Sequence, residues 1–299
     1  MNRISPYWLL AALCVFSLLL WWNPLLITFS WSLRSDEYSQ ILVILPVSIA
    51  LIYLQRGMLR PGIAWERSLK IGRMVSVFLW IAAIALFAIS RSSNLAQSDI
   101  SLTLSMTGLV LWLLASFLFA FGWKAFHKLL FPLCFLFWMV PWTHSFLDSV
   151  ITCLQQYSAS GTRIFFQAAS VPVLQQGVTL SIPGLVIEVA KECSSIRSSL
   201  ALLVTTMLLA HLTLRSHWNQ LWLVLIAIPL SVAKNALRIF TLAMLGLHVD
   251  RGFLTGRLHH DGGFVFFAIA LGLIFLVAKF LQRTETRTKK PDAIKVAAS

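Results

Sequence analysis

An all-α, polytopic integral membrane fold, with about eight transmembrane helices and both termini cytoplasmic, follows from three features of this sequence. Hydrophobic residues make up 58% of the 299 and charged residues only 12%, about half of what a soluble domain carries. Apolar runs of membrane-spanning length recur along the chain, and the mean hydropathy is +0.81. The basic residues behind the formal net charge of +13 gather in alternate connecting segments, as they do in cytoplasmic loops. That distribution explains the charge without nucleic acid as a partner. No polar stretch is long enough to bury a core of its own.

The first apolar run, 7–23, follows Met1-Asn2-Arg3 and ends in Trp21-Trp22-Asn23-Pro24. It has no small-residue cleavage site and reads as a retained span rather than a signal peptide. Further spans are expected at 40–55, 74–90, 102–122, 127–143, 193–213, 221–245 and 262–281. With the N-terminus inside, fifteen Lys and Arg residues fall on inner segments and six on outer ones. The bias rests mainly on Arg56, Arg60, Arg67, Lys70 and Arg73 in one loop and on the basic tail. Residues 1–282 thus read as one transmembrane domain. Residues 283–299 read as a basic, disordered cytoplasmic tail within reach of anionic membrane lipid.

The longest connecting stretch, 144–191, then faces outward. From Ser145 to Ala168 its mixed polarity suits an amphipathic helix at the interface. From Val171 to Gly184, β-branched residues, prolines and glycines predict a short extended or hairpin segment. That segment is either a lid or substrate-docking element, or a plain connector.

Topology brings three chemically capable side chains to one depth. Cys193 opens the sixth span on its outer side, Arg238 lies late in the outward-running seventh, and His259 stands at the outer entrance of the eighth. An odd error in the span count would scatter them. A thiol becomes nucleophilic as thiolate, which a helix N-terminus, a cation or a neighbouring histidine favours. An arginine offers a permanent charge and a rigid fork of donors for an oxyanion or carboxylate. A histidine can shuttle the proton between thiol and leaving amine. Taken singly, a cysteine at a span end reads as packing and a histidine there as interfacial. A charged residue inside a span is more often functional.

Other polar residues nearby divide between support and bystander roles. Glu192 and Asp261 could be counter-ions or simply face water, and Arg197 shares a helix face with Cys193. Lys234 could pair with a carboxylate or line a polar channel, and Asn235 lies one turn from Arg238 and could orient it. His260 competes with His259, since spacing alone does not choose between them. Cys14, Cys134, Cys153 and Cys193 show no metal spacing and no disulfide framework, and Cys14 and Cys134 read as small core residues. No metal or cofactor signature is present in the motifs.

Three blocks, "ECSSIRSSLALL", "KNALRI" and "LHHDGGFVFF", resemble in order and position the exosortase/archaeosortase family, membrane-embedded protein-sorting enzymes of prokaryotes. The leaders "DEYSQILVILP" and "GVTLSIPGLVIEVAKECS" are similar to family segments as well. The family's H-x-x-x-G register fits His259 with Gly263. Two departures stand out: Ser195 where the family often has glycine, and Ser39-Gln40-Ile41 where it often has Ser-His-Gly.

The resemblance implies Cys193 as nucleophile, Arg238 as substrate or oxyanion clamp and His259 as general acid/base. The implied substrates are exported proteins whose C-terminal sorting tail joins a short motif such as Pro-Glu-Pro, a transmembrane helix and a basic cluster. They would be cut on the outer face of the bacterial inner membrane and passed through a thioacyl intermediate to an unknown acceptor. A link to exopolysaccharide and surface assembly is also implied. Two readings of other classes compete: a transporter lined by Lys234, Arg238 and Glu192, and a non-catalytic scaffold for polysaccharide export. A transporter is expected to hold its charges near the bilayer midplane, often with repeat symmetry, and neither is visible here.

Overall fold

The computed structural model describes residues 5–59, 65–92, 98–189, 196–250, 252 and 263–296. It is helical almost throughout and divides inside one helix into two compact units, residues 1–147 and 148–299. Among the described residues, five helices are long and apolar enough to cross a membrane, or seven if each of two bent helix pairs counts as one span.

In the first unit, α1 (Pro6–Leu20) meets α2 (Trp22–Arg34) at a bend of 77°. The expected first span is therefore the straight part of a broken element. Trp21 holds the bend: it is fully buried, its Nε1 donates to the Ser105 carbonyl at 2.8 Å, and its ring lies against Phe87 and Trp112. Pro24, in the first turn of α2, has no N–H to leave unpaired there. Helix α3 (Ile41–Leu54) has 14 residues, about 21 Å at helical rise against a hydrocarbon core of about 30 Å. Eight spans are reached only if this short helix is counted.

Helices α4 (Trp65–Ser90) and α5 (Asp99–Lys128) are the long spans of this unit. They approach closely where glycine allows it. A Cβ on Gly72 would lie 2.9 Å from Gly122 Cα and 2.9 Å from the Leu118 carbonyl oxygen, and one on Gly108 2.9 Å from the Ala83 carbonyl. Without a hydrophobic drive between helices in lipid, such backbone proximity supplies much of the packing. Gly122, at φ +78°, also kinks α5.

The expected fifth span, 127–143, is not one helix. It is the short α6 (Leu130–Cys134), a 3-10 segment Phe135–Met139, and a break at Val140. Pro141 explains the break: it lacks a donor and pushes Val140 to an extended ψ of 119°. The chain re-enters a helix at α7 (His144–Ala168). Cys134, expected in the core, is exposed there, and Cys14 is half-buried.

In the second unit, α7 buries Ile151, Gln155, Ser158, Ala159, Thr162 and Phe166 at helical spacing, with Tyr157 and Ile164 exposed. The expected extended segment is a three-stranded antiparallel meander of β1 (Leu174–Gln176), β2 (Thr179–Ile182) and β3 (Leu185–Glu188). Gly177 and Gly184 make its turns at φ +61° and +84°, the second after Pro183 in the pattern of a type II turn. Leu180 and Ile182 face a core that includes Phe166 and Ala243.

The rest is three mutually packed helices, α8 (Ile196–Thr213), α9 (His217–His248) and α10 (Gly263–Val296). Leu202, Leu223, Ala270 and Ile274 lie at the centre of their shared core. The last helix runs on past residue 283, where the sequence predicts the start of an unstructured tail. Three residues, Leu214 to Ser216, link α8 to α9, so the two run antiparallel. Glu285 ties α10 to that link: its carboxylate accepts from the N–H groups of Arg215 and Ser216 at 3.0 Å each and from Asn219 Nδ2 at 2.8 Å. An anion over the first turn of α9 also complements the helix dipole. The starts of α8 and α10 therefore share the far end of the bundle with the second half of α9.

Substituting Gly72→Ala places a methyl against backbone and is expected to cost about 1–3 kcal/mol. A lowered thermal midpoint in detergent checks it, with Gly272→Ala, which meets nothing within 4 Å, as the unchanged control.

Candidate active site

Helix α9 carries the polar residues of the site. Its apolar middle, from Leu221 onward, is interrupted over about two turns by Ser231, Lys234, Asn235 and Arg238. Helical spacing puts Lys234 and Arg238 one above the other on one face. A buried polar group in an apolar span is costly unless partnered, and α9 finds its partners on two sides.

Toward α8, Ser231 Oγ donates to Ser199 Oγ at 2.6 Å, and Lys234 Nζ donates to Ser198 Oγ. Both serines lie in the first turn of α8, and Lys234 is 7% exposed. Toward α7, Asn235 Nδ2 donates to Ser158 Oγ at 2.9 Å, with both residues 1% exposed. One turn along, Thr162 Oγ1 donates to the Ala236 carbonyl at 3.2 Å. Gly161 makes that approach possible, since a Cβ there would come within 2.9 Å of Ala236 Cβ. Phe165 and Phe166 close the contact against Phe240. The turn of α9 that bears Arg238 is thus fixed from both sides.

Arg238 itself is half-buried, with Nε out of solvent. Its guanidinium stands beside the start of α10: a Cβ on Gly263 would lie 3.8 Å from Cζ and 3.9 Å from Nη1. A Cβ there would be in ordinary van der Waals contact with the guanidinium, so the start of α10 lies directly against the charged group. Lys234 stands one turn away on the same face.

Of the residues expected to act, Arg238, Lys234 and Asn235 come together as described. Arg197, in the first turn of α8, is exposed. Glu192, Cys193, His259, His260 and Asp261 lie outside the described residues. Their described neighbours are held. Four positions before Cys193, Val189 is 1% exposed, donates its N–H to the Val178 carbonyl at 3.0 Å, and accepts at its own carbonyl from Gln155 Nε2 at 2.7 Å. Three positions after it, Ile196 is buried at the head of α8. Gly263 follows His259 by four residues. Among the described residues, no group of three or more His, Cys, Asp or Glu is placed to hold a metal ion.

The model of the family described as Transmembrane exosortase (Exosortase_EpsH) matches residues 30–276 of this chain. The chain belongs to the transmembrane exosortase family. No curated protein and no solved structure matches it. The match takes in every exosortase-like block of the sequence, from "DEYSQILVILP" to "LHHDGGFVFF".

Gln155, Ser158, Gly161 and Thr162 of α7, and Ser198, Ser199 and Ser231, escaped the sequence reading of this exosortase. In α7 the small and polar residues repeat at helical spacing, which marks a face without saying what it meets. In a double-mutant cycle, Asn235→Ala and Ser158→Ala are expected to couple by about 0.5–1.7 kcal/mol. Unfolding of the detergent-solubilised protein measures it, and strict additivity would show that the hydrogen bond contributes nothing.

Proposed function

We propose that this exosortase-family chain is a cysteine transpeptidase of the bacterial inner membrane, with its reactive groups at the periplasmic face. Its substrates are exported proteins bearing a C-terminal sorting tail of motif, transmembrane helix and basic cluster. Exopolysaccharide and surface assembly is the setting proposed for it.

The observation that supports this most is the guanidinium of Arg238 beside Gly263, at the bundle end where α8 and α10 begin. Sequence puts Cys193 three residues before α8 and His259 four residues before Gly263. A thiol, a permanent cation and an imidazole within those few residues are the parts that acyl transfer needs.

In the proposed reaction the Cys193 thiolate adds to the scissile carbonyl, forming an S–C bond and an oxyanion that Arg238 stabilises. As the tetrahedral species collapses, the C–N bond breaks and His259 gives its proton to the departing amine. A thioester remains on Cys193. An acceptor, whether water, an amine or a lipid, then attacks that carbonyl, its proton passes to His259, and the S–C bond breaks. Asn235 and Lys234 position the Arg238 turn through α7 and α8.

Processing of a tagged sorting-tail substrate in membranes tests this. Cys193→Ala is expected to abolish cleavage with insertion and abundance unchanged. Arg238→Lys should lower the rate about 10²–10³-fold through loss of the donor fork. His259→Ala should be inactive and His260→Ala active. Undiminished processing by Cys193→Ala would reject the cysteine mechanism in favour of a transporter or scaffold.

A further inference from the structure

The first unit contains a groove of about 990 Å³ bounded by α1, α2, α3, α5 and the segment Leu133–Met139. Its walls are aliphatic and aromatic, among them Leu18, Leu45, Ile49, Leu113 and Phe117. At one end stand Tyr7, Tyr53 and Arg56, with the Arg56 guanidinium 4.1 Å from the centre of the Tyr53 ring. Tyrosine and arginine at the end of an apolar helix mark the level of lipid headgroups.

From these features we infer that the groove binds one anionic glycerophospholipid, with its phosphate on Arg56 and its acyl chains along α3 and α5.

Depth argues for a lipid rather than a membrane-crossing helix. The groove residues on α3 run from Leu45 to Leu54, about 14 Å at helical rise. That is about half of a hydrocarbon core, the depth of one leaflet.

Charge selects the headgroup. Arg56 is followed by Arg60, and then by Arg67, Lys70 and Arg73 at the start of α4, against one acid, Glu66. Such a juxtamembrane cluster attracts anionic lipid at the cytoplasmic leaflet.

The test is native mass spectrometry of the full chain extracted from micelles containing equal phosphatidylglycerol and phosphatidylcholine. One phosphatidylglycerol per chain is expected. Arg56→Ala should cut the preference over phosphatidylcholine about fivefold, the share of one interfacial basic residue. Ile49→Trp, at an exposed groove position, should remove bound lipid of both kinds without lowering the thermal midpoint. Equal retention of the two lipids, or full retention by Ile49→Trp, would overturn the assignment. So would displacement of the lipid by an equimolar hydrophobic transmembrane peptide, which would make the groove a helix-docking site.

Discussion

A lysine, an asparagine and an arginine within five residues of a membrane-spanning helix impose the constraint from which the second unit follows. Each must find partners inside the protein or destabilise the span. The partners come from α7 and α8: Ser158 for Asn235, Ser198 for Lys234, and Ser199 for Ser231 one turn earlier. Satisfying them requires α7 to lie close enough for Thr162 to reach the Ala236 carbonyl, and Gly161 removes the side chain that would prevent it. The same contacts leave Arg238 on a turn that has little freedom to rotate. Under the proposed mechanism, where Arg238 meets a developing negative charge, such preorganisation would lower the reorganisation needed during reaction.

Alignment along the bundle is set at the opposite end. Glu285 bridges α10 to the α8–α9 link through three hydrogen bonds. It ties α10 to that link, and at the other end of α10 Gly263 lies against the Arg238 guanidinium. The meander and Gln155 complete the frame by pinning Val189 shortly before Cys193. Membership of the transmembrane exosortase family and the placement of Arg238 beside Gly263 are separate observations, and the proposed chemistry draws on both.

Much of this was legible from hydropathy and motif order. The spans expected at 193–213, 221–245 and 262–281 correspond to α8, α9 and α10, because uninterrupted apolar runs in lipid have helix as their only stable form. Tertiary contacts hid most of the rest. The bend at Trp21 depends on a hydrogen bond to Ser105, far along the chain. The break near Pro141 is local, set by the proline itself, and was masked by the apolar run around it. The role of Ser158 could be seen only once α7 was placed against α9, since a serine in an amphipathic helix looks the same whether it faces a partner or water.

The account turns on Cys193 sharing one end of the bundle with Arg238 and the start of α10. Thiol cross-linking tests that directly, using the full chain with Cys14, Cys134 and Cys153 replaced by serine and Gly263→Cys introduced. A parallel chain carries Thr286→Cys, about 35 Å away along α10 at helical rise. A short bifunctional thiol reagent is expected to join Cys193 to position 263 and to leave position 286 unlinked. Linkage to position 286 alone, or to neither, would contradict the proposal.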